Sequence, residues 1–377
     1  MSKDFLFSIR DGVENFLYRR VVKPLLFTMD PEQVHDQAVT VGRFLGSNPI
    51  TRMATSVVFG YQHSMLCQNI LGMNFKNPIG LAAGFDKNAL LTDILPSVGF
   101  GFEEVGSITG EKCSGNPKPR LWRLKKSQSL AVYYGLKNDG AESIAHRLRK
   151  KHFRFPVGVS IAKTNNAETV GEKEGIADYG KALSVFEKTG IGDYFTINIS
   201  CTNVYGGTPF TDPEKLDRLL SSLGELKVKK PVFLKMPVEI SEAEMDSIIL
   251  LAKKYSLSGF VSTNLAKDRK NLNFNPFDML PEKGGLSGKV MEDLANKQIA
   301  YLYKKSGGQF VIIGCGGVFS AEDAYKKIRL GASLVQLITG MIFQGPQLIG
   351  EMNRGLVKLL NSDGFNSISD AVGVDNK

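Results

Sequence analysis

Cysteine, histidine and tryptophan are scarce in this chain, at 4, 4 and 1 of 377 residues. Cys67, Cys113, Cys201 and Cys315 are too few and too scattered for a disulfide scaffold. No CxxC pair offers metal-ligand spacing either, so no metal site is expected and the composition fits a reducing, intracellular compartment. The uncharged stretch 330–350 has the length of a membrane span. Gln336, Gln344, Pro346, Gln347 and 4 glycines interrupt it, which argues against one. No charged segment leading into a short apolar run and a cleavage site opens the chain, so no secretory signal is predicted.

Apolar residues make up 42% and charged residues 23%, which excludes wholesale disorder and a polytopic membrane protein. The net charge of +9 is local, because residues 101–154 hold 12 Lys and Arg against 5 Asp and Glu. Within that stretch, residues 146–154 read as a solvated helix end more readily than as a patch for nucleic acid or an anionic surface. No nucleic-acid partner is expected.

The opening segment repeats Phe5, Leu6, Ile9, Val13, Phe16, Leu17, Val21 and Leu25 at helical spacing, with Pro24 set to break or kink it. Such a stripe suits a docking face or a membrane-surface helix. Asp30-Pro31-Glu32 then forms the capped start of another helix, ended by Gly46-Ser-Asn-Pro49.

From about residue 78, short apolar runs alternate with longer amphipathic ones. Strands are predicted at 79–83, 101–106, 157–161, 194–199, 232–236, 259–262, 310–313 and 334–338, with helical patterns between most of them. Eight strand-then-helix units predict an α/β fold, a (β/α)8 TIM barrel with a small N-terminal helical extension. The rival doubly wound sheet lacks its GxGxxG signature. The predicted division is a helical segment 1–60, a barrel 61–362 and a loose polar tail 363–377, with residues 107–154 inserted over the barrel mouth.

Active sites of such barrels lie at the C-terminal strand ends. The first strand ends in Ala82-Ala-Gly-Phe-Asp-Lys87, the fourth in Asn198-Ile-Ser-Cys-Thr-Asn203, the fifth at Lys235 and the sixth at Thr263-Asn264. Uncharged amides suit an imide or amide heterocycle, and lysine suits a carboxylate or an electron-rich ring. Gly314-Cys-Gly-Gly317 after the seventh strand and Thr339-Gly340 after the eighth are turns taken singly. Together they match a phosphate cradle. Gly284–Gly288 reads as a phosphate-proximal loop or a plain linker. Cys201 is either a buried small hydrophobe or, at an exposed strand end, a thiol able to take a proton.

These motifs, together with Met29-Asp-Pro-Glu-Gln-Val-His35, Pro119-Arg-Leu-Trp-Arg-Leu124 and Gly331-Ala-Ser-Leu-Val-Gln336, resemble the quinone-dependent, membrane-associated class of dihydroorotate dehydrogenase over nearly the whole chain. The resemblance implies FMN across the barrel mouth. Its phosphate would lie at Gly288, Gly317, Thr339 and Gly340, and its ring near Ala83, Gly84, Ser107, Asn198, Lys235 and Thr263. It implies a substrate, dihydroorotate or similar, held by Lys87, Asn198, Asn203 and Asn264, with Cys201 as base. It also implies a quinone entrance at the N-terminal helices, lined by His35 and Arg123, and a peripheral membrane contact.

The chain departs from that family at several positions. Cys201 stands where this class carries serine and the soluble class cysteine. Val132 replaces an asparagine that contacts the pyrimidine. Ser160 replaces a flavin-contacting asparagine, Leu265 a threonine and Ile338 a tyrosine. The departures keep two alternatives open: a different cyclic amide or enone as substrate, and a non-catalytic flavin-binding module.

Overall fold

The computed structural model describes residues 3–201, 203–207, 209–270 and 272–376. A hairpin of β1 (Gln68–Ile70) and β2 (Met73–Phe75) precedes the first barrel strand, β3 (Ile79–Leu81). Then follow β4 (Phe102–Ile108), β5 (Leu121–Leu124), β6 (Ser129–Val132), β7 (Val157–Ile161), β8 (Tyr194–Asn198), β9 (Val232–Lys235), β10 (Gly259–Ser262), β11 (Gly285–Gly288), β12 (Val311–Cys315) and β13 (Leu334–Leu337). Eight of these close a parallel barrel in the order β3-β4-β7-β8-β9-β10-β12-β13 and back to β3. They are the eight predicted strands; two coincide with their predicted ranges and the others differ at their ends by one or two residues.

Successive side chains of a strand point to opposite faces, so the barrel interior fills in layers. Phe102, Tyr194, Phe233, Val261, Ile313 and Leu334 form the lowest layer. Phe75 from the hairpin closes it from below, packed edge-on against Phe102 at 5.5 Å. Two residues further up, Glu104 accepts from Thr196 at 2.9 Å and Gln336 at 3.3 Å. The next inward step reaches Asn198 and Lys235, which face each other in register across β8 and β9.

The insertion and the Gly284–Gly288 segment are parts of one structure. β11 pairs antiparallel with β6, Gly285 opposite Val132 and Gly288 opposite Ser129, and β6 pairs with β5. The segment is a strand rather than a loop or a linker, because its backbone is spent on a sheet. Residues 146–154 do end a helix, Ala141–Leu148. Arg147 binds Asp139 at 2.7 Å, Lys151 binds Asp93 at 2.6 Å, and Arg154 donates to the Asp93 carbonyl at 2.6 Å.

The tail is ordered rather than loose. Ile368 and Ala371 are fully buried, Arg329 pairs with Asp375 at 2.6 Å, and Asn376 donates to the Leu330 carbonyl at 3.1 Å. Two apolar side chains and one ion pair suffice to pin a segment whose composition reads as solvated.

At the N-terminus a helix Lys3–Leu17 runs through a π-helical turn, Tyr18–Val22, into Lys23–Leu26. The π turn ends two residues before Pro24, whose ring and missing N–H disturb the preceding ladder without ending it. Asp30 caps the helix Pro31–Gly46 and Asn48 caps the helix Pro49–Phe59. Of 20 exposed large hydrophobics among the described residues, 13 belong to these helices, including Phe16, Leu25, Phe44 and Val57. The side chains of Phe5 and Leu6, also in the predicted stripe, lie outside the described set. No described helix is long and apolar enough to cross a membrane.

The helical segment is joined to the sheet insertion by a buried ion pair. Arg120 grips the Glu32 carboxylate through two nitrogens, at 2.7 Å and 3.1 Å. Burial alone would raise the Glu32 pKa, but Arg120, Lys118 and Lys137 hold it at about 2.

Candidate active site

The C-terminal strand ends, the sheet β5-β6-β11 and the Pro31–Gly46 helix enclose a cavity of roughly 1300 Å³, open mouth included. Every residue predicted to hold the substrate borders it: Lys87, Asn198, Asn203 and Asn264, with Cys201. So do the residues predicted to hold a cofactor: Ala83, Gly84, Ser107, Lys235 and Thr263 at one end, Gly288, Gly317, Thr339 and Gly340 at the other. His35 borders the roof. Arg123 does not line the cavity; its guanidinium donates to the Met29 carbonyl at 2.9 Å and lies 4.6 Å from the Phe27 ring.

The amides are interlocked. Asn264 donates to Ser200 at 2.9 Å and to the side-chain oxygen of Asn198 at 3.3 Å, and Asn198 donates to Ser107 at 2.8 Å. Ser160, fully buried, extends that chain through a 2.7 Å contact with Ser107 and stays off the cavity wall. Asn203 donates to the backbone carbonyl of Val132 at 2.8 Å, so Val132 anchors it through its main chain. Val132, Leu265 and Ile338 present apolar groups to the cavity.

Two lysines stand in it, Lys235 buried and Lys87 half-buried. The Lys235 side chain makes no hydrogen bond or ion pair among the described residues. Lys87 lies 4.0 Å over the Tyr134 ring and 3.5 Å from His35 Nε2. Burial and the nearby Lys137 push Lys87 down to about 7; burial and Lys87 in turn push His35 down to about 4, so the imidazole is neutral. Burial raises the Cys201 thiol, opposed by the Asn203 backbone N–H, Lys235 and Lys267.

Residue-type reasoning at strand ends missed Tyr134, Lys137 and Lys163. The first two follow β6, where only the substituted Val132 had drawn notice. Lys163, two residues past β7, donates to the Tyr205 carbonyl at 2.9 Å and the Thr169 carbonyl at 3.2 Å behind the Cys201 segment. A lysine just beyond a predicted strand end was the available signal for it.

The cavity suits FMN by its donor set. The N–H groups of Gly316 and Gly317 donate to no acceptor among the described residues, and the helix beginning at Thr339 has no side-chain cap. Unsatisfied backbone donors at one end fit a phosphate, and an unpaired buried ammonium at Lys235 fits the electron-rich edge of a flavin.

A family profile described as dihydroorotate dehydrogenase matches residues 65–360. The chain belongs to the dihydroorotate dehydrogenase family. It is an oxidoreductase. It is 38% identical over 357 residues to dihydroorotate dehydrogenase (quinone) of Haloarcula marismortui, covering 94% of this chain and 98% of that one. It is 34% identical over 380 residues to the Trichodesmium erythraeum protein of the same name, covering 96% and 99%. Among solved structures, dihydroorotate dehydrogenase of Eimeria tenella in complex with ferulenol superposes with a TM-score of 0.78 at 27% identity, covering 92% of this chain and 96% of that one.

Proposed function

We propose that this protein is an FMN-dependent enzyme that oxidises dihydroorotate to orotate and passes the electrons to a quinone. The observation that carries the reading is the single cavity that unites Cys201, three asparagines and Lys87 with unsatisfied backbone donors and the unpaired Lys235. Bound FMN supplies the hydride acceptor. The chain supplies everything else. Lys87 offers its charge to the substrate carboxylate, while Asn198, Asn203 and Asn264 orient the ring amides. Cys201, as thiolate, takes the acidic proton beside the ring carbonyl as hydride leaves the neighbouring carbon. Lys235 and Lys267 favour that thiolate; burial opposes it, which also keeps competing water away.

The quinone would enter beneath the N-terminal helices, past the neutral His35, and their exposed apolar side chains would rest peripherally on a membrane surface. Arg123 would act at the helical roof, through its hold on Met29 and Phe27. Anaerobic addition of dihydroorotate to the FMN-loaded protein should bleach the flavin absorbance, and a quinone should restore it. A flavin that stays oxidised refutes the reading. Val132 and Leu265 favour a second one, a more apolar cyclic amide or enone as substrate. That outcome would appear as bleaching by such a compound where dihydroorotate fails.

A further inference from the structure

Outside the inner cavity lies a broad surface groove, bounded by the insertion sheet, the segment after β10 and the segment before β11. Trp122 and Tyr133 line it, and Tyr205, 60% exposed, flanks it. Four basic residues border it, Lys118, Lys267, Arg269 and Lys283, against one acid, Glu282. Two of the four are engaged: Lys118 lies 3.6 Å from Glu32, and Arg269 donates to the carbonyls of Pro281 and Gly284. Lys267 and Lys283 are exposed and form no ion pair among the described residues. The Lys283 ammonium sits 5.9 Å from the Tyr133 ring centroid. Asn203 walls both this groove and the inner cavity.

Aromatic faces beside free ammonium groups select for a ring that carries negative charge. An apolar ligand would leave the lysines unused, and a bare inorganic anion would leave the rings unused. We infer that the groove is an outer binding site for a planar ring bearing a carboxylate, with Lys267 and Lys283 holding the charge and Trp122 and Tyr133 flanking the ring. The choice of ligand rests on the function proposed above, since that substrate and product are of this chemical class. A ligand held here stands one residue, Asn203, from the inner cavity, and a cationic approach raises the local concentration of an anion.

Trp122 is the one tryptophan in the chain, so its emission reports on the groove. Orotate titrated into the oxidised, FMN-loaded protein should quench it saturably, with free N-acetyltryptophanamide correcting for light absorbed by the ligand. Uracil, a ring without charge, and acetate, charge without a ring, should not quench at the same concentrations. The double variant K267E/K283E should raise the half-saturating orotate concentration about tenfold or more, while flavin retention confirms its fold. The inference is overturned by no saturable quench up to about 10 mM orotate, by an unchanged half-saturation in the variant, or by equal quenching with uracil or acetate. Quenching by orotate without flavin bleaching by dihydroorotate would leave the groove standing and remove the proposed reaction. Bleaching without quenching would do the reverse.

Discussion

The two ends of the inner cavity recognise by different means. The end at β12 and β13 is backbone: N–H groups of Gly316 and Gly317 and an uncapped helix start at Thr339. A side chain at Gly317 would run into Glu292, and one at Gly340 into the Val318 carbonyl, so the packing leaves no freedom there. The end at β3, β8 and β10 is side chain: Lys87, Asn198, Asn264 and Cys201, with Leu265 beside them. Main-chain recognition is locked by close packing, whereas side-chain recognition can be retuned one residue at a time.

Breaking the side-chain end alone should give the largest effect. Cys201→Ala is expected to lower kcat about 10²- to 10⁴-fold, the usual weight of a positioned base, with flavin content unchanged. Loss of flavin in that variant would mean the two ends are not separable. The pH profile of the unaltered enzyme tests the same residue. Burial raises the thiol, so the thiolate, and with it kcat, should keep climbing from about pH 7 to about pH 10 and be lost as pH falls. A level profile across neutral pH would remove Cys201 from the base role.

Breaking the backbone end should do the converse. Gly317 has φ +72 and no room for a Cβ, so Gly317→Ala should weaken FMN binding by about a hundredfold, read by equilibrium dialysis. The Cys201 segment lies at the other end of the cavity and should keep its geometry. Tight FMN binding by that variant would contradict the cradle. The smallest effect should come from restoring a side chain. Val132→Asn returns one amide to the cavity and should lower the dihydroorotate KM about fivefold, near 1 kcal/mol for one hydrogen bond. A raised KM would instead favour the more apolar substrate.

The same division explains what the sequence disclosed. Strands of the barrel are buried on both faces and read as apolar runs, so their positions were legible, and the residues just past their ends met in one cavity. The sheet β5-β6-β11 was not, because β11 pairs with strands far back in the chain and its Gly285-Leu-Ser-Gly288 carries no strand propensity. Tyr134, Lys137 and Lys163 escaped notice for a related reason: what matters about each is a spatial neighbour, Lys87 or the Cys201 segment, that no local pattern announces. Arg123 faces the roof rather than the cavity, since its neighbours Phe27 and Met29 claim it.

The Glu32–Arg120 clasp makes the helical roof and the insertion sheet a single mechanical unit. Cutting away the first fifty residues would take the Glu32 carboxylate from among Arg120, Lys118 and Lys137 and remove His35 from beside Tyr134, on which Lys87 leans. A shortened protein that fails would therefore report a broken joint rather than a lost path for the electron acceptor. Point changes on the outer apolar face, at Phe16 or Phe44, are the cleaner way to ask what that face touches.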